Sequence, residues 1–175
     1  SIFIGLDGGF APWVGAVLSN IDQPILLVAD EDRVEEAITR LSRVGFDNVK
    51  GYLDGGFSAW INEGKEVAVI DTITANDFEN NYQGNDVNIF DVRKLTEYQS
   101  EHVLDAINIP LNNINNFISD FKIEGENYIH CAAGYRSMIA NSILKAHGIH
   151  NLVDVRGGFS SIKKTAITTS EYICP

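Results

Sequence analysis

A cysteine and an arginine, spaced Cys131-Ala132-Ala133-Gly134-Tyr135-Arg136, form the segment of this 175-residue chain best suited to chemistry. An apolar, strand-like run, Tyr128-Ile129-His130, leads in, and a helical pattern, Ser137 to Leu144, leads out. A strand, a short loop opening on cysteine and a helix starting at Arg136 set the sulfur among backbone N–H groups at the positive end of a helix dipole. Such a place favours thiolate over thiol and holds an anion above it. The chemistry on offer is nucleophilic attack with charge cradled by the main chain. Gly134 supplies a backbone conformation that closes the ring without a Cβ clash. Arg136 has two readings, a donor that grips an anionic substrate or a brace for the loop. Tyr135 reads either as lining the pocket mouth or as a solvent-facing aromatic.

The elements that position these residues follow from hydrophobic period. The pattern predicts strands at Pro24–Ala29 and Val49–Gly51 and helices at Arg33–Arg43 and Phe57–Glu63. Further along it predicts strands at Val67–Asp71, Val87–Asp91, Ala106–Asn108, Tyr128–Cys131 and Leu152–Asp154. Helices are expected at Ala75–Tyr82, Leu95–Ser100, Ile114–Phe121 and Arg136–His147. Strands alternating with helices through short Gly and Asn connections imply a mainly parallel sheet covered on both faces. Asp91 and Arg93 then fall at the C-terminal end of a parallel strand, the edge where α/β sheets build their sites. Asp91 is expected to hold the loop or an arginine in place, with a plain surface ion pair as the competing explanation. His130 neighbours the cysteine but points to the other face of the strand, as a core histidine would.

Composition narrows the function classes. The charge of −11 opposes nucleic acid and anionic membrane surfaces. A small anionic substrate must therefore be drawn in locally, by Arg93, Arg136 and the loop amides. No apolar run approaches the ~18 residues of a membrane span. The four histidines and two cysteines show no metal-ligand spacing, so neither metal nor cofactor is expected. Two cysteines are too few for a disulfide framework, which suits a reducing cytoplasm. Cys174 reads as a frayed terminal residue, with a resolving thiol as the alternative.

The chain repeats itself. Leu53-Asp54-Gly55-Gly56-Phe57-Ser58 and Val155-Arg156-Gly157-Gly158-Phe159-Ser160 each follow a Gly-initiated turn and a short strand and precede a helix. Phe3 to Asp7 aligns with Asn108 to Asn112, so residues 1–63 mirror 106–165. The first copy lacks the roughly forty residues that open the second, and Asp30 ends its strand where a cysteine is expected. Two domains are predicted, 1–63 partial and 64–175 complete, meeting at the polar turn Gly64-Lys65-Glu66.

The motif Cys131-Ala132-Ala133-Gly134-Tyr135-Arg136-Ser137 resembles the active-site loop of the rhodanese family of sulfurtransferases. Four residues separate its cysteine and arginine, one fewer than in cysteine phosphatases, and a smaller ring suits a terminal sulfur better than a phosphate. Asn88 to Arg93, Glu97-Tyr98, Glu101-His102-Val103, Ala106 to Pro110 and Gly157-Gly158-Phe159 also match the family's spaced motifs. Glu101 and Asp105 depart from it at places where glycine is common. The resemblance implies a rhodanese-like α/β fold, a parallel sheet with helices on both faces, with one complete domain and one partial, inactive copy. It implies Cys131 as nucleophile and residues 132–137 as the loop that binds substrate and persulfide. Asp91 and Arg93 are implied as support. The implied partners are a small anionic sulfur donor, such as thiosulfate or a small-thiol persulfide, and a thiol, sulfite or cyanide acceptor. Gly9 to Gly15 further resembles the junction of metallo-β-lactamase/rhodanese fusions, which implies a metal-bearing domain upstream. A different class, a persulfide- or redox-sensing interaction module, would use the same thiolate.

Overall fold

The computed structural model describes residues 1–82, 87–121 and 124–173. The chain divides into two units, Ile4–Val69 and a larger one made of Ser1–Phe3 with Ile70–Pro175. The division at Val69/Ile70 lies just beyond the polar turn expected to carry it.

The smaller unit contains α1 (Phe10–Val17), β1 (Ile25–Leu27), α2 (Val34–Ser42), β2 (Val49–Tyr52) and α3 (Gly56–Asn62). β1 and β2 pair in parallel, with a register shift between Ile25 and Leu26. Val34, Ala37 and Leu41 form the buried stripe of α2, as their helical spacing requires. Leu41, Phe46, Phe10 and Val14 make the core, with Ile25, Leu27 and Val49 packed against it. The helix expected from Arg33 begins one residue later, because Glu31–Arg33 forms a 3-10 turn first. The sequence reading missed α1. Its Pro12 falls in the first turn, where a missing N–H costs no hydrogen bond. Trp60, expected as a core or interface aromatic, is exposed, and its indole N–H donates to the Glu66 carbonyl at 2.9 Å.

In the larger unit follow β3 (Asp71–Ile73), α4 (Ala75–Tyr82), β4 (Asn88–Asp91), α5 (Leu95–Ser100), β5 (Ile107–Asn108), β6 (Asn127–His130), α6 (Tyr135–Ala146), β7 (Leu152–Val155) and α7 (Gly158–Ile162). The five strands lie in the order β3-β7-β6-β4-β5 and every pair is parallel. Helices cover both faces, as burial on two sides demands of a parallel sheet. Phe78 of α4 meets Tyr128 of β6 at 5.1 Å between ring centroids, in a core shared with Ile89, Val155, Phe159 and Ile162. α6 packs on β6 and β7. β6 is buried along its whole length, its polar ends Asn127 and His130 included.

Two expectations fail here. The strand placed at Val67–Asp71 lies further on, at Asp71–Ile73. The helix expected over Ile114–Phe121 is two 3-10 segments, Leu111–Asn116 and Ile118–Asp120. Asn fills positions 112, 113, 115 and 116, and its side chain competes for backbone groups and weakens an α-helix. Asp105, standing where glycine is common, has φ +65°. Among the described residues it alone, apart from glycines, takes positive φ.

Candidate functional site

The site assembles at the C-terminal ends of β4 and β6, which the sheet places side by side with Asp91 paired to His130. The chain leaves β6 at His130, and Cys131 follows, buried. Ala132, Ala133 and Gly134 then turn into α6, whose first residue is Tyr135 rather than Arg136. Gly134 caps that helix with φ +109°, a conformation an L side chain rarely takes. Its N–H points back and donates to Cys131 Sγ at 3.1 Å. The sulfur thus sits at the N-terminal end of a twelve-residue helix, where partial positive charge gathers.

A second backbone supports the loop from behind. Phe159 N–H donates to the Cys131 carbonyl at 2.7 Å and Ser160 N–H to the Ala132 carbonyl at 3.0 Å. This close approach needs Gly158: a Cβ there would lie 2.9 Å from the carbonyl carbons of Cys131 and Ala132. The Gly-Gly-Phe repeat marked the position in the sequence, though not its contact with the loop.

Both arginines near the loop are taken by carboxylates. Asp91, fully buried, accepts from Arg93 Nε at 2.8 Å, from Arg93 NH2 at 2.6 Å and from the Arg93 backbone N–H at 2.9 Å. The Arg93 guanidinium also donates to the Glu101 carbonyl and lies 4.1 Å over the Phe159 ring. A surface ion pair is therefore excluded, and Asp91 does hold an arginine in place. Arg136 makes a two-point pair with Glu97, NH1 to Oε2 at 2.6 Å and NH2 to Oε1 at 2.8 Å. Each shifts the other: Arg136 holds the Glu97 carboxyl below its usual range, and Glu97 pushes the guanidinium up. Glu97 also accepts from the Lys94 backbone N–H at 3.1 Å, fixing it at the start of α5. Of the two readings of Arg136 this geometry favours the brace. Glu97 is the residue the sequence reading undervalued, since nothing local announces an ion pair with a residue so far along the chain.

The remaining candidates separate by burial. Ala133 is exposed, while Ala132, Gly134 and Tyr135 are half-buried and rim the loop. Ser137, expected to belong to the binding loop, is fully buried, and its hydroxyl donates to the Gly134 carbonyl at 3.0 Å. It braces the turn. His130 is a core histidine as expected, but only half satisfied. Nδ1 lies 3.4 Å from the Cys131 carbonyl oxygen, while Nε2 has no partner among the described residues. Burial pushes its pKa down, with Asp91 acting in the opposite sense. His102 stacks on Tyr98 and bonds its carbonyl at 2.8 Å, a structural role. Cys174 lies outside the described residues. No group of His, Cys, Asp and Glu among the described residues could hold a metal, and no helix is long and apolar enough to cross a membrane.

Comparison with known proteins gives this arrangement a family. A family model described as a rhodanese-like domain matches residues 74–165. The "Putative sulfur carrier protein YrkF" of Bacillus subtilis (strain 168) is 32% identical over 72 residues, 41% of this chain and 39% of that protein. The "Adenylyltransferase and sulfurtransferase UBA4" of Candida glabrata is 31% identical over 102 residues, 50% of this chain and 24% of that protein. This chain thus spans well under half the length of either. The crystal structure of SSP1007 from Staphylococcus saprophyticus is 30% identical, with a TM-score of 0.52 over 57% of this chain and 99% of that one. With its matched segment covering the strand ends, the cysteine loop and the Gly-Gly-Phe turn, the chain belongs to the rhodanese-like domain family.

Proposed function

We propose that the larger unit is a sulfurtransferase domain in which Cys131 carries the sulfur as a persulfide. The observation that carries this reading is the Gly134 N–H on Cys131 Sγ at the mouth of α6. A backbone donor and a helix N-terminus converge there on one buried sulfur. In the first half-reaction the Cys131 thiolate attacks the outer sulfur of thiosulfate or of a small-thiol persulfide. The S–S bond of the donor breaks, and sulfite or a thiolate leaves with the bonding pair. The enzyme then holds Cys131–S–S⁻, its terminal charge met by N–H groups of the loop from Ala132 to Arg136. In the second half a nucleophile (a thiol, sulfite or cyanide) takes the terminal sulfur and frees the thiolate. Two half-reactions through a covalent intermediate give ping-pong kinetics.

The Asp91–Arg93 and Arg136–Glu97 pairs would act through the loop, by fixing it. With both guanidinium groups so engaged, the anion is stabilised by backbone donors already in place. Relatives whose printed names speak of sulfur carriage and sulfur transfer agree with the reading.

The test is intact mass. Reduced protein is treated with thiosulfate or glutathione persulfide, beside a Cys131→Ser control. A gain of one sulfur, absent in the control and discharged by cyanide, is the expected result. No gain from either donor overturns the reading.

A further inference from the structure

From Leu26 on, the smaller unit reproduces one part of the larger in register. β1 pairs with β2 as β6 pairs with β7, and Leu27 opposite Tyr52 corresponds to Ile129 opposite Asp154. Counting on from these pairs, Gly56 falls on Gly158 and Ala29 on Cys131. The close approach repeats as well: a Cβ on Gly56 would lie 2.6 Å from the Ala29 carbonyl oxygen, as one on Gly158 would collide with that of Cys131. Ala29, not Asp30, therefore stands at the place of the cysteine. A 3-10 turn, Glu31–Arg33, replaces the loop.

Corresponding positions differ sharply in exposure. Leu26 is 77% exposed where Tyr128 is 2%, Val28 54% where His130 is 0%, and Tyr52 52% where Asp154 is 3%. On the following helix Phe57 is 50% exposed against 6% for Phe159, and Trp60 40% against 0% for Ile162. In the larger unit one continuous segment does the covering. β3 pairs with the outer edge of β7, β4 with the outer edge of β6, and α4 between them lays Phe78 against Tyr128 and packs on α7. The smaller unit has β1 and β2 alone in their sheet, so both edges and one apolar face are bare together. A parallel pair in that condition is at best marginal, since parallel strands are found covered on both faces. One strand–helix–strand would close all three surfaces at once.

We propose that the face formed by Leu26, Val28, Phe57 and Trp60 is the seat of a strand–helix–strand segment from upstream on the same polypeptide. Its strands add in parallel to the outer edges of β1 and β2, and its helix lays a large apolar side chain over Leu26, as Phe78 does over Tyr128. The completed unit would be a rhodanese-like domain without a nucleophile. This inference does not depend on sulfur transfer by Cys131.

The probe is a second copy of residues 66–105, fused directly ahead of Ser1 of the full chain. Amide hydrogen exchange at Leu26, Leu27, Val28 and Tyr52 is compared with and without it. Slowing by about tenfold or more in the fused protein, lost when Phe78→Asp is made in the added copy, is the expected result. Leu26→Lys should leave the unfused chain folded and abolish the slowing in the fused one. Three results overturn the proposal. These are no slowing by the fused copy, amides in the unfused monomer already as slow as those of Tyr128 and Ile129, or protection that rises with concentration as the unfused chain dimerises.

Discussion

Gly158 rests directly on Cys131. The Phe159 N–H that follows it bonds the Cys131 carbonyl at 2.7 Å, and no side chain fits between the two backbones. The residue proposed to carry the sulfur is thus set from behind by this turn. Gly158→Ala would meet two penalties, a φ of +55° and a carbonyl already in the space. It should cost about 1–3 kcal/mol in urea unfolding and slow persulfide formation. A variant within about 0.5 kcal/mol of the parent, an ordinary surface effect, would show that the contact is slack.

Arg136 and Glu97 test brace against grip. Arg136→Lys keeps the charge but loses the two-point geometry, and Glu97→Gln loses the partner. As a brace, each change should lower kcat/KM about tenfold, mainly through kcat, and the double variant should be little worse than either single one. A grip on the donor predicts otherwise: Arg136→Lys raises KM alone, and Glu97→Gln leaves kinetics unchanged.

The Asp91–Arg93 pair is buried, and removing one partner strands the other charge. Asp91→Asn should therefore destabilise the larger unit by about 3 kcal/mol or more. Thermal or chemical unfolding would measure it, and a loss under about 1 kcal/mol, the level of an exposed pair, would contradict the geometry.

His130 predicts a pH dependence. Its folded pKa lies below the ordinary value of 6.5 because burial disfavours the charged ring. Above 6.5 both folded and unfolded states carry it neutral, and its contribution is fully present. As pH falls through 6.5 the unfolded state takes up a proton that the folded state refuses, so stability is lost. Denaturant melts between pH 8 and about 5 should show this loss. His130→Asn should flatten it, and an unchanged slope in the variant would assign the loss to other groups.

Asp105 holds a glycine's conformation. Asp105→Gly relieves the left-handed strain at the cost of unfolded-state entropy, and should gain about 0.5–1 kcal/mol. A destabilised variant would mean that the aspartate makes a contact worth more than the strain.

Sequence alone determined the larger architecture. The strand-like run Tyr128–Ile129–His130, alternating with helical patterns through short Gly and Asn connections, marked a strand of a parallel sheet. The cysteine loop, with Gly134 and a helical pattern behind it, was local chemistry written in consecutive residues, and so was legible. Repetition of Gly-Gly-Phe likewise showed where a strand turns into a helix. What the sequence could not decide was set by pairing across distance. Which carboxylate holds Arg136, how Phe159 lies under Arg93 and why Gly158 has no side chain depend on elements far apart in the chain. The 3-10 segments at Leu111–Asp120 escaped because apolar spacing alone does not reveal how asparagines compete for the backbone. The short first copy already implied an uncovered sheet edge, but which side chains of β1 and β2 are bare depended on the placement of their neighbours.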